Sequence, residues 1–115
     1  MDRKLAPRGP RGHPFGLSAE VENGTAQIAV SGEIDITTAP TLAELLVGTM
    51  AEPGTAAEVD LGNVSFMDAS GLTALIRADD RARDIGGQLH LSRVPERVSR
   101  LLKITHLDRR FSVLI

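Results

Sequence analysis

One stretch brings an acid, a hydroxyl and a glycine together, Val64-Ser65-Phe66-Met67-Asp68-Ala69-Ser70-Gly71-Leu72. Asp68 and Ser70 are both good helix caps, and Gly71 lets another backbone come close. The first N–H groups of a helix lack partners and carry partial positive charge, so a carboxylate or phosphate group is favoured there. An Asp or Ser is also the ordinary way to cap a helix, so by itself the stretch does not separate a cap from a switch. Glu33 and Asp35 form a second acidic pair around Ile34. Paired carboxylates can act as acid and base or hold a metal ion, yet no histidine or further acid falls within motif spacing. Partner contact, local capping and catalysis or metal binding all stay open for this pair.

Little else in the chain offers chemistry. His13, His90 and His106 do not group with a nucleophile in any familiar spacing. His90 sits between Leu89 and Leu91 and is expected on the opposite face of a strand from them. Gly86-Gly87 ends a helix, whereas phosphate-binding loops precede one. The chain has no cysteine, which removes disulfides, thiol catalysis and Cys-based zinc sites, and suits a reducing cytosol. With no nucleophile–base constellation, the expectation is a protein that docks and does not catalyse, needing no cofactor and no metal.

The elements that position these residues follow from periodicity. Phe15 to Val21 and Thr25 to Ser31 read as a β-hairpin around the turn pair Asn23-Gly24, with Gly32 closing the second strand. Thr37 or Thr38 caps a helix that has Pro40 in its first turn and runs to about Ala51, burying Leu42, Leu45, Leu46 and Met50. Pro53-Gly54 stops it. Ala57 to Leu61 is a short strand, and Val64 to Met67 a tight approach to the next element. A second helix, from near Ser70 or Gly71 to Gly86-Gly87, buries Leu72, Leu75, Ala78, Ala82 and Ile85. Arg77, Asp80, Arg81 and Asp84 make its other side, a solvated face that could also border a docking surface. Gln88 to Ser92 is a strand, Pro95 opens a third helix to about Ile104, and Phe111 to Leu114 is a last strand. The order β-β-α-β-α-β-α-β predicts an α/β fold, a mixed sheet of about five strands with three helices packed on it. Parallel neighbours joined by right-handed crossovers follow the opening hairpin.

Bulk properties agree with one domain. The 115 residues are 42% hydrophobic and 24% charged, enough for a single core without a covalent staple. A net charge of −2 and an aromatic content of 3% argue against a nucleic-acid binder. No apolar run suggests membrane insertion, and no apolar core follows the first basic residues as a secretion signal requires. Residues 1–14 carry Arg3, Lys4, Arg8 and Arg11 among Pro7, Pro10, Pro14 and two glycines, and are expected to form a flexible basic tail ahead of a domain at 15–115.

The stretch at 64–72 resembles the signature of the STAS family, the sulfate-transporter and anti-sigma-factor-antagonist domain. So do Ser31-Gly32-Glu33-Ile34-Asp35 with Thr38-Ala39-Pro40, Gly86-Gly87-Gln88-Leu89, and Val98-Ser99-Arg100-Leu101-Leu102 with Leu107-Asp108 and Phe111. The resemblance implies a cytoplasmic anti-sigma factor antagonist in a partner-switching pathway, monomeric or weakly dimeric. Its partner would be an anti-sigma factor that is also a serine protein kinase, with a PP2C-type phosphatase to reverse the modification. Asp68, Ala69, Ser70, Gly71 and Leu72, adjoined by Glu33 and Asp35, would form the partner-binding surface. The same resemblance allows a STAS subunit of a lipid or anion transport complex that docks on an ATPase.

Three positions depart from the family pattern. The serine that the kinase phosphorylates directly follows the Asp, and that position here is Ala69, which has no hydroxyl. Either Ser70 has taken over as phosphorylation site, or the protein escapes the kinase and stays competent to bind. His106 stands where the family often has a glycine in left-handed geometry. The sequence stops at Ile115, where family members often continue into another helix, and a second copy could cover the surface thus exposed.

Overall fold

The computed structural model describes residues 14–114. The basic segment read at 1–14, apart from Pro14, lies outside the described residues, as do His13 and Ile115. Strands β1 (Gly16–Glu22) and β2 (Thr25–Ile34) form the hairpin, antiparallel from Gly16↔Ser31 to Glu22↔Thr25. Its turn places Asn23 at φ 55° and Gly24 at φ 78°, two left-handed residues of the kind a tight hairpin turn requires. Then follow α1 (Ala39–Thr49), β3 (Ala56–Met67), α2 (Ala69–Asp84), β4 (Gln88–Ser92), α3 (Glu96–Ile104) and β5 (Ser112–Leu114). The strand order is β1-β2-β3-β4-β5, and every pair after the hairpin is parallel. This is the mixed five-stranded sheet with three helices that the periodicity predicts.

Two strands run further than expected. Gly32 does not close β2. It takes φ 82°, a shift in the β2–β3 register accompanies it, and pairing resumes with Glu33↔Phe66 and Ile34↔Met67. A Cβ at Gly32 would also collide with the Pro14 carbonyl, so only glycine suits the bend. The segments at 57–61 and 64–67 are correspondingly one strand of 12 residues. Its continuity is hidden in the sequence because Gly62 and Asn63 are exposed and the register slips beside them, which breaks the apolar alternation. The first helix ends at Thr49, two residues short of the expected Ala51, and Met50 is its C-cap.

The core lies where the predicted stripes meet. Ala26 and Ile28 of β2 stand in register with Ala57 and Val59 of β3, and these with Leu89 and Leu91 of β4, while Val30, at the register shift, joins the same buried cluster. Leu42, Leu46 and Met50 from α1, and Leu72, Leu75, Ala78 and Ala82 from α2, join the same buried cluster. Leu45 and Ile85 are only partly buried at its margin. Helices α1 and α2 pack on each other, with α1 against β2 and α2 against β3 and β4. Arg81 of α2 donates from Nε to the Met50 carbonyl at 3.1 Å, satisfying an oxygen that the end of α1 leaves without an intrahelical donor.

Candidate docking site

The turn between β2 and α1 is built on Asp35. Its Oδ1 accepts from the Thr37 N–H at 2.9 Å, the Thr37 hydroxyl at 2.6 Å and the Thr38 N–H at 3.3 Å. Its own N–H donates to Thr38 Oγ1 at 2.9 Å, while that hydroxyl donates to the Glu33 carbonyl at 3.0 Å. Thr38 occupies the N-cap position, but its side chain makes no cap bond within α1. Asp35 does that work from upstream. Both acids expected at the contact surface are enclosed: Glu33 is 0% exposed and Asp35 is 6% exposed. Their burial gives them internal roles, local capping in the case of Asp35. The turn does present Ile36, 75% exposed, beside the exposed Thr37.

The start of α2 stands beside this turn. The Asp68 N–H donates to the Ile34 carbonyl at 3.2 Å, tying the ends of β2 and β3 together. Asp68 Oδ1 then accepts from the Ser70 N–H at 2.8 Å, the expected cap on the first turn. Ala69 is exposed and Ser70 half-buried, whereas Gly71 and Leu72 lie beneath the surface. A Cβ on Gly71 would come within 2.5 Å of Met67 Cγ and 2.9 Å of Ile34 Cγ2. Gly71 and Leu72 therefore help to seat the helix, while Ala69 is exposed at the surface with Asp68 and Ser70 half-buried beside it.

Between the first turns of α1 and α2 runs a groove of about 240 Å³, lined by Ile36, Ala39, Pro40, Ala43, Ser70, Thr73, Ala74 and Arg77. Arg77 is the one charged residue in that lining. The groove joins the Asp68–Ser70 turn to Ile36, a residue that sequence reasoning missed. Its signal was a large apolar side chain inside the polar turn Asp35-Ile36-Thr37-Thr38, outside the period of either neighbouring element. The face of α2 away from the groove has structural duties. Asp79 is 6% exposed and is met by Arg110 Nε at 2.9 Å and Arg83 Nε at 3.2 Å; Arg110 also pairs with Asp80. Burial lowers the Arg110 affinity for its proton, but Asp80 and Asp79 outweigh burial and hold it above the ordinary arginine range.

The histidines stay apart from this site. His90 Nε2 lies 2.9 Å from Gln88 Oε1, on the face opposite buried Leu89 and Leu91. His106 has φ 62°, the left-handed geometry expected there. Among the described residues, no three His, Asp or Glu side chains converge on a position for a metal ion, and no helix is long and apolar enough to cross a membrane.

The STAS domain family model matches residues 17–114. The chain belongs to the STAS domain family. This STAS domain is 40% identical to the anti-sigma-B factor antagonist of Bacillus subtilis over 81 residues, which cover 70% of this chain and 73% of the relative. A crystal structure of an anti-sigma factor antagonist from Mycobacterium paratuberculosis is similar with a TM-score of 0.72 and 27% identity, covering 87% of this chain and 85% of that one. The unphosphorylated form of the Bacillus anti-sigma factor antagonist SpoIIAA shares the fold with a TM-score of 0.72 at 19% identity, over 89% of each chain.

Proposed function

We propose that this STAS domain is an anti-sigma factor antagonist. It binds an anti-sigma factor through the first turn of α2 and the groove beside it, and so releases a sigma factor. The observation that carries this reading is the 40% identity to a protein named for that role. It favours the sigma-factor pathway over docking on a transporter ATPase. In this reading the protein is a cytoplasmic ligand and supplies no catalytic group. The groove suits such a role, because small side chains floor it while Ile36 stands at one end and Arg77 lines it. A partner side chain that fills it would be apolar and neighboured by an acid.

SpoIIAA is known in an unphosphorylated and a phosphorylated form. A phosphate adds about −1.5 to −2 charges near neutral pH, which a helix N-terminus accommodates but a docked surface must desolvate. Here the exposed position after Asp68 is Ala69, which offers no acceptor. Ser70, the neighbouring hydroxyl, is half-buried and faces the groove. We propose that the protein is not inactivated by its kinase partner and stays competent to bind, with no need of a PP2C-type phosphatase to restore it.

The docking surface is tested by titrating the cognate anti-sigma factor into the wild type and into Ile36→Asp and Arg77→Glu in a calorimeter. Both side chains stand on the surface, so melting temperatures should hold. Binding should weaken by about 30-fold or more at Ile36, the scale of an interface hot spot. Unchanged affinity in both variants would reject this surface.

A further inference from the structure

Strand β1 lies at an edge of the sheet, and among the described residues it is paired on one side only, with β2. The two-residue turn at Asn23-Gly24 makes Glu22↔Thr25 the first hydrogen-bonded pair of the hairpin. Gly16, Ser18, Glu20 and Glu22 therefore direct their N–H and C=O groups to β2. The same alternation turns those of Leu17, Ala19 and Val21 outward, to a side where no strand of the described residues receives them.

These three residues also carry the apolar side of the strand. Leu17, Ala19 and Val21 stand in register with Val30, Ile28 and Ala26, all of them buried in the core. The row continues the core beyond β2, but its cover gives out: Leu17 is partly buried, Ala19 is exposed and Val21 is 63% exposed. An open edge bordered by apolar side chains is a template for another strand. The nearest other segment, residues 1–13, does not suit it. Pro7 and Pro10 stand at odd and even positions, so any strand through both would put one proline where the ladder needs an N–H.

The strand does suit itself. We propose that β1 pairs antiparallel with β1 of a second copy, about a two-fold axis at Ala19, and joins the two sheets into one. That register sets Ala19 against its own copy and Val21 against Leu17, so every outward N–H and C=O of the three residues finds a partner and the apolar row is continuous. It also separates the acids, placing Glu20 opposite Ser18 and Glu22 opposite Gly16. Moving the axis to Glu20 would set that carboxylate against its own copy, which is unfavourable. Moving it to Ser18 would carry Glu22 past the end of the second strand, to Pro14. One strand pair is a small interface, so the dimer is weak and depends on concentration. No residue of β1 lines the groove between α1 and α2, so this association and the antagonist reading stand or fall separately.

Sedimentation equilibrium of the full chain over a concentration series is the test. The weight-average mass should climb from 12.3 kDa towards twice that value. Ala19→Pro removes an N–H that faces the second copy and not β2, a place where an edge strand accepts proline, and should keep the protein monomeric. Val21→Lys changes a side chain that is exposed in the monomer and should weaken association about tenfold without lowering the melting temperature; it carries the test where proline disturbs the strand. Amide hydrogen exchange gives the register. Raising the concentration should slow Leu17, Ala19 and Val21, while Ser18 and Glu20, already bonded to β2, stay as they were. A mass that remains monomeric at every concentration overturns the proposal, as does undiminished association in Val21→Lys. Protection without that alternation would place the contact elsewhere, and protection of Leu17, Ala19 and Val21 in dilute protein would give the edge to the chain's own residues 1–13; either result defeats the pairing.

Discussion

Asp68 and Asp60 are both carboxylates that accept backbone N–H groups, yet they hold different things. Asp68 caps α2 through one bond to the Ser70 N–H, so Asp68→Ala should cost about 1 kcal/mol of unfolding free energy, while Asp68→Asn should keep most of it. Urea denaturation of the two variants checks this, and equal losses would mean that charge and not the cap bond matters. Asp60 is gripped by Arg93 and Gly62. Burial pushes its carboxyl up, but the Arg93 hydrogen bond, the Gly62 N–H and the Arg93 charge outweigh burial and hold it below the usual carboxylate range. A depressed carboxyl contributes stability above its unfolded pKa, near 3.9, and that share disappears as pH falls through the lower folded value. Because the pair is solvent-facing, the effect is small. Comparing urea midpoints at neutral pH and well below pH 4, Asp60→Asn should lose less on acidification than the wild type. An identical acid loss in both would show the pair to be neutral to folding. At this scale sequence spacing marks acids but not their surroundings. Asp68 is legible as a cap because it precedes a helical period, whereas Glu33 and Asp35 read as surface acids until the enclosing β2–α1 turn is seen.

Helices α1 and α2 are legible because an apolar stripe at intervals of three and four identifies a buried face whatever lies opposite it. Strands β2 and β3 were less so. Both pass through a register shift, and one extra residue there reverses which side chains face the core, so alternation fails while hydrogen bonding continues. Gly32 is the point on which that continuity rests. At φ 82° an L side chain is strained by roughly 1–2 kcal/mol, and the collision with the Pro14 carbonyl adds to it. Gly32→Ala should therefore destabilise the domain by more than that strain alone, read as a lowered urea midpoint with an unchanged slope. A neutral result would mean that the β1 entry and the β2 bend relax together. The consequence for function is positional: the bend precedes Ile34, whose carbonyl ties the ends of β2 and β3 together, and Asp35, which builds the turn that leaves Ile36 exposed.

For the whole molecule, the departure at Ala69 makes the switch itself testable. Ala69 is exposed at the first position of α2, so adding a hydroxyl there meets no packed neighbour and leaves the Asp68 cap in place. A phosphate on that hydroxyl would sit where helix N–H groups favour an anion, so the fold should survive. The same phosphate would stand beside Asp68 on the docking surface, at the mouth of a groove whose one cation is Arg77, and would have to be stripped of water for a partner to close over it. Ala69→Ser should then confer what the wild type lacks. Incubated with the cognate anti-sigma factor kinase and ATP, the variant should gain one phosphate by intact-mass measurement and lose its complex on size-exclusion chromatography, while the wild type gains none and stays bound. The unmodified variant should bind as the wild type does, which separates the charge from the substitution. Phosphate on wild-type Ser70 would instead assign the switch to the groove-facing hydroxyl, and would defeat the reading of an antagonist that its kinase cannot turn off.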